Sequence, residues 1–445
     1  MTLVKSDLNR VPLWRKIGYG AGGLGFDLAF NITSFYQIFF LTSIVAIPPA
    51  QAGLLVGLPS MILTPLTPFA GYLSDRMHSR LERRLLISVC GPLGGLLFFL
   101  KFFALSGMAI QTLVIYWWLV QLASSANGGL LGVSYDALGA ELSPSSAERV
   151  QMVSIRQSFG IIGALSGSSL PLLVASVFGN GLTGFAWMGA AFGTLVAASF
   201  LIVGATATRG SLPPRQPSSV WREILITSRL RPFWFQFAIA FLSQMAVVVT
   251  NATLIFYLSY VHGVANLLPL IMLLVTATAL ASLPLLTWLS RRWDTRWAFA
   301  IGILVYTAVL FSLRFIPSGN TVWLWTLVSL AGLGVGALNI FPKSMITDVA
   351  AYDHAKQGRS RAGNVMGLWS LGGGGGTALG SALAGWLLAL VGYHSGAEVS
   401  LGLQEGLRSI IAFVPSALLL VALPLIALSL SRADMIQVEA TLRRD

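Results

Sequence analysis

Long apolar segments, separated by short polar connections, constrain this 445-residue chain more than any single motif does. Hydrophobic residues make up 55% of the sequence and charged residues only 10%, whereas soluble proteins average about 25% charged residues. A run of roughly 20 apolar residues can cross the hydrocarbon core of a bilayer as a helix. Twelve such segments are predicted, at 17–46, 50–74, 85–105, 110–138, 150–177, 182–204, 233–262, 265–290, 297–316, 322–347, 363–392 and 408–431. The sequence therefore predicts an all-α integral membrane protein.

The positive charges fall in alternate connections between these segments. The net charge of +12 would by itself also suit a nucleic-acid partner. Lys and Arg instead concentrate at the N-terminus and after every second segment, for example at Lys5, Arg83, Arg222, Arg292 and Arg359. This alternation is the positive-inside pattern. We therefore expect the lipid bilayer of the cytoplasmic (inner or plasma) membrane as the partner, no nucleic acid, and both termini in the cytoplasm.

The longest polar interruption divides the twelve segments into six and six. Thr206–Arg231 contains three prolines and five arginines, a composition that cannot stay in lipid. We predict an N-terminal six-helix bundle at 1–205, a cytoplasmic linker at 206–231 and a C-terminal six-helix bundle with a cytoplasmic tail at 232–445. Transporters built from two such halves bind substrate near the bilayer midplane and alternate its access to the two sides.

Residue types that serve catalysis or metal binding are sparse. The chain has one cysteine, Cys90, and four scattered histidines, so neither a disulfide framework nor a zinc site is expected. The glycine run Gly372–Gly376 is not followed by the Lys-Ser/Thr of a phosphate-binding loop. We expect no cofactor and no enzymatic activity.

Polar side chains inside the apolar segments point to a solute path. Asp27 in the first segment and Arg156 in the fifth are ionisable, and ionisable groups in a bilayer usually face a protein interior or a watery cavity. A purely structural ion pair is the alternative, and we favour the functional role. Polar residues at helical spacing share faces with them. The predicted substrate ligands are Asp27, Asn31, Gln121, Asp136, Arg156, Asn251 and Asn339. For the glycines on the same faces we favour close helix packing.

Several stretches carry a resemblance to a known family. They are Gly18–Asn31, Gly71–Arg84, Tyr135–Leu142 and Arg156–Gly163 in the first half, and Arg231–Phe233, Phe256–Tyr260 and Asp348–Asp353 in the second. In this order they resemble the glycoside–pentoside–hexuronide:cation symporter family of the major facilitator superfamily. The resemblance implies that fold, with twelve helices in two bundles, and places Asp27 and Arg156 at sugar-binding positions of the family.

The resemblance also implies a cytoplasmic gate. Gly71–Arg84 matches the superfamily's gating loop after the second helix. Carboxylates at helix ends can pair with arginines in one state of the transporter and release them in the other. The predicted gating residues are Asp75, Arg76 and Arg84 in the first half and Asp348, Asp353 and Arg359 in the second.

The chain departs from the family at its coupling and sugar sites. The two aspartates of the family's cation site are replaced by Leu63 and Thr67, and a leucine supplies no oxygen ligand for a cation. A second sugar-site aspartate falls at Gly132 and a sugar-stacking aromatic at Asp136. Sodium is therefore a less favoured co-ion than a proton, which Asp27 or Asp136 could carry because burial raises the pKa of a carboxylate.

Three functions follow as alternatives. The first is secondary transport, by a monomer, of a small polar solute such as a sugar or glycoside, with proton coupling or as a uniporter. The second keeps the fold and moves a lysolipid-like amphiphile, because the missing sugar and cation groups leave room for one. The third is a sensor or assembly protein that no longer transports.

Overall fold

The computed structural model is almost entirely helical. It describes residues 11–66, 83–104, 107, 109–142, 146–179, 181–207, 226–317, 321–357 and 362–442. In lipid, a backbone N–H or C=O has no water to bond, and an α-helix satisfies these groups within its own segment. Helices are therefore the structure that this apolar sequence can adopt in a membrane.

In the described residues, seven helices precede the predicted linker. They are α1 (Leu13–Phe39), α2 (Pro49–Leu63), α3 (Arg83–Lys101), α4 (Ile110–Leu142), α5 (Ser146–Ser169), α6 (Pro171–Val177) and α7 (Leu182–Thr206). A π-helical turn at Phe40–Ile44 continues α1.

Seven more helices follow the predicted linker in the part of the chain that the structure describes. They are α8 (Arg231–Tyr257), α9 (Leu268–Arg292), α10 (Thr295–Ser312), α11 (Thr321–Gln357), α12 (Ala362–Leu390), α13 (Leu401–Ala427) and α14 (Arg432–Leu442). Side chains cap the first turn of three of them: Asp294 accepts from the backbone N–H of Arg296 at 3.1 Å, Ser400 from that of Leu403 at 3.2 Å, and Ser431 from that of Asp434 at 3.1 Å. Such caps satisfy N–H groups that have no partner within the helix.

Nine helices in the described residues are long and apolar enough to cross a membrane, or ten if one bent pair is a single span. The predicted count of twelve therefore stays a prediction. The bent pair is α5 and α6, which meet at 48° where one straight segment at 150–177 was expected. Pro171 begins α6, and a proline has no N–H to continue the preceding helix.

The described residues form two compact units. The first has the bounds Met1–Ile47 and Ile62–Pro217, and the second Pro48–Met61 and Ser218–Asp445. Thus the beginning of α2 packs in the second unit, where Gly53 lies against Gly385 of α12. The predicted bundle boundaries stay predictions, because most of the linker lies outside the described residues.

Glycines bring α1 and α5 of the first unit into backbone contact. Gly163 lies against the carbonyl oxygen of Leu24, and a β-carbon at Gly167 would be 2.7 Å from the carbonyl oxygen of Leu28. Small residues allow membrane helices to approach closely and gain dispersion energy. The glycines on this face therefore pack helices together, as the sequence indicated.

Replacing Gly163 by valine should separate α1 from α5. Inserting carbon atoms into a close-packed site costs about 1–3 kcal/mol, so we expect a clearly lower midpoint of thermal unfolding in detergent. The control is Gly129→Ala on α4, because a β-carbon at Gly129 meets no atom within 4 Å. Equal midpoints for the two variants would contradict this account of the α1–α5 contact.

Candidate functional site: a charged and aromatic cluster in the first unit

Arg156 of α5 pairs with a carboxylate of α4. Its Nη1 lies 2.5 Å from Oδ1 of Asp136. The side chains of Arg156 and Asp136 are 28% and 64% exposed, so the pair lies at an accessible surface of the unit rather than in its core. Charge-assisted hydrogen bonds of this kind are short and directional. The contact fixes the guanidinium between two helices.

Two stacked tyrosines pack beside this guanidinium. The Cζ of Arg156 lies 4.6 Å from the ring centroid of Tyr135, within the range of a cation–π contact. The rings of Tyr135 and Tyr19 are stacked with centroids 4.6 Å apart. Tyr135 also donates a hydrogen bond from its hydroxyl to the carbonyl oxygen of Tyr19 at 2.6 Å. Both tyrosines are buried, so α1 and α4 hold the arginine from below.

Asp27 lies on α1, in the same unit. Its Oδ2 is in close contact with the Cα side of Gly160 on α5, four residues from Arg156 along that helix. Only a residue without a side chain leaves room for the carboxylate there. Asn31, one turn further along α1, donates from Nδ2 to the carbonyl oxygen of Asp27 at 2.8 Å.

Gln121 lies deeper in the first unit. It is 4% exposed, and its Oε1 accepts a hydrogen bond from Nε2 of Gln37 at 3.1 Å. Gln37 was not among the predicted site residues. It is 2% exposed and lies ten residues after Asp27 on α1. The polar pair joins α1 to α4.

Two of the predicted ligands, Asn251 and Asn339, belong to the second unit. Asn251 is half-buried on α8. Asn339 is exposed on α11 and donates from Nδ2 to the carbonyl oxygen of Val335, one turn back, at 2.9 Å. Their roles as substrate ligands stay predictions.

The predicted gating residues are only partly described. Asp75, Arg76 and Arg359 lie outside the described residues. Arg84 is half-buried in the first turns of α3, and Asp353 is fully buried near the end of α11. Asp348 lines a cavity of the second unit. A gating role for any of them stays a prediction.

An ion pair that sequence reasoning missed joins α1 to α5. Lys16, which is 5% exposed, places its Nζ 2.6 Å from Oε2 of Glu148 and donates to Oε1 of Gln151 at 2.5 Å. In the sequence Lys16 lies just before the first apolar segment at 17–46, among the N-terminal positive charges, so nothing there indicated a partner on α5.

Substitutions at the neighbouring residues Tyr135 and Asp136 should lower the stability of the protein by different amounts. Tyr135→Phe removes a buried hydrogen bond, which typically contributes about 0.5–1.5 kcal/mol. Asp136→Asn removes a largely exposed charge, and exposed ion pairs contribute only about 0.2–1 kcal/mol. We expect thermal unfolding in detergent to show the larger loss of stability for Tyr135→Phe. A larger loss for Asp136→Asn would mean that the ion pair serves the fold.

A family model described as MFS/sugar transport protein matches residues 18–430 of the chain. The chain is 25% identical over 435 residues to a symporter of Synechocystis, sll1374, covering 78% of this chain and 80% of that protein. It is 22% identical to the isoprimeverose transporter of Lactiplantibacillus pentosus, covering 86% and 82%. It is 24% identical to the mouse sphingosine-1-phosphate transporter MFSD2B, covering 76% and 73%.

A solved structure shares the fold. It is that of a bacterial homologue of the human lysosomal transporter Spinster, in an inward-facing and occupied conformation. The TM-score is 0.69 at 17% identity, covering 94% of this chain and 95% of that one.

These matches define a class of protein, an integral membrane transporter with the major facilitator fold, and not an enzyme. The chain belongs to the MFS/sugar transport family, in agreement with the resemblance to the glycoside–pentoside–hexuronide:cation symporters.

Proposed function

We propose that the protein is a secondary transporter that moves a sugar or glycoside by alternating access. We also propose that the solute binds at Arg156, Asp136, Tyr135 and Tyr19, which together form the Arg156 cluster. The observation that carries the proposal is the accessible Arg156–Asp136 pair above the buried tyrosines. An exposed ion pair contributes only about 0.2–1 kcal/mol to stability, and both groups of this pair are open to a solute.

The chemistry of the pair suits a polyol. A guanidinium has five N–H donors and a carboxylate has about four acceptor positions. One hydrogen bond between Arg156 and Asp136 therefore leaves both groups with capacity for sugar hydroxyls. Because the two charges offset each other, the cluster favours a neutral solute over an anionic one. Asp27 and Asn31 on α1, together with Gln121 on α4, are the further ligands that we propose.

Coupling to a proton fits this site better than coupling to sodium. The described end of α2 has Leu63 at the family's cation position, and its side chain offers no oxygen to a metal ion. The carboxylates of this site, Asp27 and Asp136, are the groups that we propose as carriers of the proton. The similarity to a symporter supports a co-transported ion in general.

A lysolipid-like amphiphile is the second candidate. The similarity to the sphingosine-1-phosphate transporter favours it, because an anionic headgroup would also be attracted to Arg156. The two candidates differ in what competes. If the solute is an amphiphile, excess unlabelled lysolipid should block the uptake of labelled lysolipid. If the solute is a sugar, excess lysolipid should leave sugar uptake unchanged.

The test is uptake of labelled sugars into proteoliposomes under proton and sodium gradients that are imposed separately. We expect a proton gradient to drive accumulation. Asp27→Asn should lower uptake about tenfold or more, because losing a hydrogen bond to a charged group costs about 1.5–3 kcal/mol. The control is Glu398→Gln, which also removes one negative charge but lies exposed between α12 and α13.

Three other results have defined meanings. Accumulation that follows only the sodium gradient would contradict the proton assignment. Equilibrating uptake that ignores both gradients would make the protein a uniporter. No sugar flux from folded protein, together with lysolipid flux, would replace the sugar proposal by the amphiphile.

A further inference from the structure

A polar cavity lies in the second unit. Its volume is about 310 Å³, near the lower end for small-molecule sites. It lies where α9 ends, α10 and α14 begin, and α8 and α11 pass. Its charged and amide lining consists of Gln236, Arg291, Asp294, Arg296, Asp348 and Arg432. Three arginines against two aspartates make this lining cationic.

On one wall of the cavity, the charged side chains of Asp294 and Arg296 already form an ion pair and hydrogen bonds with the protein. Asp294 accepts hydrogen bonds from Nε and Nη2 of Arg296, at 3.2 and 3.1 Å, and from the backbone N–H of Arg432 at 3.1 Å. Arg296 also donates from Nη1 to the carbonyl oxygens of Ala427 and Ser429. These two side chains tie α10 to the end of α13. Their charges offset each other, so they shape the cavity rather than attract a ligand.

Two arginines keep their charge available. Arg291 and Arg432 are both exposed, and in the described part of the chain neither guanidinium forms a salt bridge. Arg432 donates from Nη1 to the carbonyl oxygen of Arg291 at 2.9 Å, which holds the two residues together. Two guanidinium-bearing residues that line one cavity are suited to an anion with several oxygens, above all a phosphate.

A buried acceptor lines the same cavity. Gln236 of α8 is 1% exposed. Its Nε2 donates to Oγ of Ser429 at 2.9 Å, while its Oε1 has no hydrogen-bond partner among the described residues. A buried acceptor without a donor is unfavourable. An occupant of the cavity should therefore offer an N–H or O–H group.

The acidic groups at the cavity restrict the occupant further. Asp348 is a half-buried member of the lining. Asp434 of α14 is close by, and hydrogen bonds from the hydroxyl and backbone N–H of Ser431 hold its pKa below the usual value. An anion with a second positive or hydroxylated end fits this arrangement better than a compact, fully anionic ion.

The surroundings place the cavity at the depth of lipid headgroups. Trp288, Trp293 and Trp297 flank it along the chain and are each more than half exposed. Exposed tryptophans concentrate at the membrane–water interface. Arginines at the cytoplasmic interface attract phospholipid headgroups.

We propose that this cavity binds a phosphate that carries an N–H or O–H donor. The phosphate lies on Arg291 and Arg432, and the donor bonds Oε1 of Gln236. A phosphatidylethanolamine headgroup has this chemistry, and so does a small soluble phosphorylated metabolite. The site is independent of the transport proposal, because every lining residue lies outside the Arg156 cluster.

Native mass spectrometry of the full chain, released from detergent, tests this proposal. Phosphatidylethanolamine is compared with phosphatidylcholine, whose quaternary ammonium has no N–H. We expect the wild-type protein to bind phosphatidylethanolamine severalfold more tightly. Gln236→Met should abolish this preference, because it removes the acceptor. The ratio of the two lipids is read from the same folded sample, so a change in stability alone would not alter it.

A charge-matched pair of variants tests the phosphate contacts. Arg291→Gln with Arg432→Gln should weaken phosphatidylethanolamine binding about tenfold. Arg292→Gln with Arg314→Gln removes the same charge outside the cavity and should change binding less than about twofold. Arg292 lies over the ring of Trp288, and Arg314 pairs with Glu405. Equal losses for the two pairs, or no discrimination between the lipids by the wild type, would overturn the proposal.

Competition identifies the source of the phosphate. If soluble glycerophosphoethanolamine displaces the lipid at concentrations below about 1 mM, the cavity recognises the headgroup chemistry alone and accepts metabolites. If only the intact lipid binds, the acyl chains contribute and the ligand is the membrane. Both results support a phosphate site. Failure of sugar uptake would not affect either one.

Discussion

The backbone contact between α1 and α5 is the constraint on which the proposed transport site depends. Gly163 and Gly167 allow the carbonyl groups of Leu24 and Leu28 to lie against α5. Because Gly160 has no side chain, the Asp27 carboxylate fits between the two closely packed helices. Arg156 packs against Tyr135 of α4, which in turn stacks on Tyr19 of α1. A wider separation of the helices would remove both contacts at once.

In the first unit, the buried polar residues differ in role from the accessible ones. The tyrosine stack and Gln37 are buried and hydrogen-bonded across helices, and we assign them mainly to the fold. The Arg156–Asp136 pair is accessible, so its energetic contribution to folding is small. Charged groups that contribute little to stability yet remain inside an apolar protein are good candidates for solute binding.

Much of the fold could be predicted from the sequence, because lipid leaves an apolar run few alternatives to a helix. The bend at Pro171 was missed, since hydropathy does not register a break between two apolar stretches. The polar face of α4, which carries Gln121, Gly128 and Asp136, was predicted from helical spacing. The pairing of Arg156 with Asp136 was not, because it depends on how α4 and α5 pack. Tyr19 and Tyr135 were also overlooked as site residues, because a tyrosine in an apolar helix usually only packs.

Cysteine accessibility would show whether the polar face of α4 lines the solute path. Gly128 shares that face and has open space around its Cα. A Gly128→Cys protein in a Cys90→Ala background would be labelled with a water-soluble maleimide, with Gly402→Cys on α13 as the open control. We predict that the transported solute slows maleimide labelling severalfold at position 128 and does not slow it at position 402. No labelling at 128, or labelling unchanged by saturating solute, would contradict it.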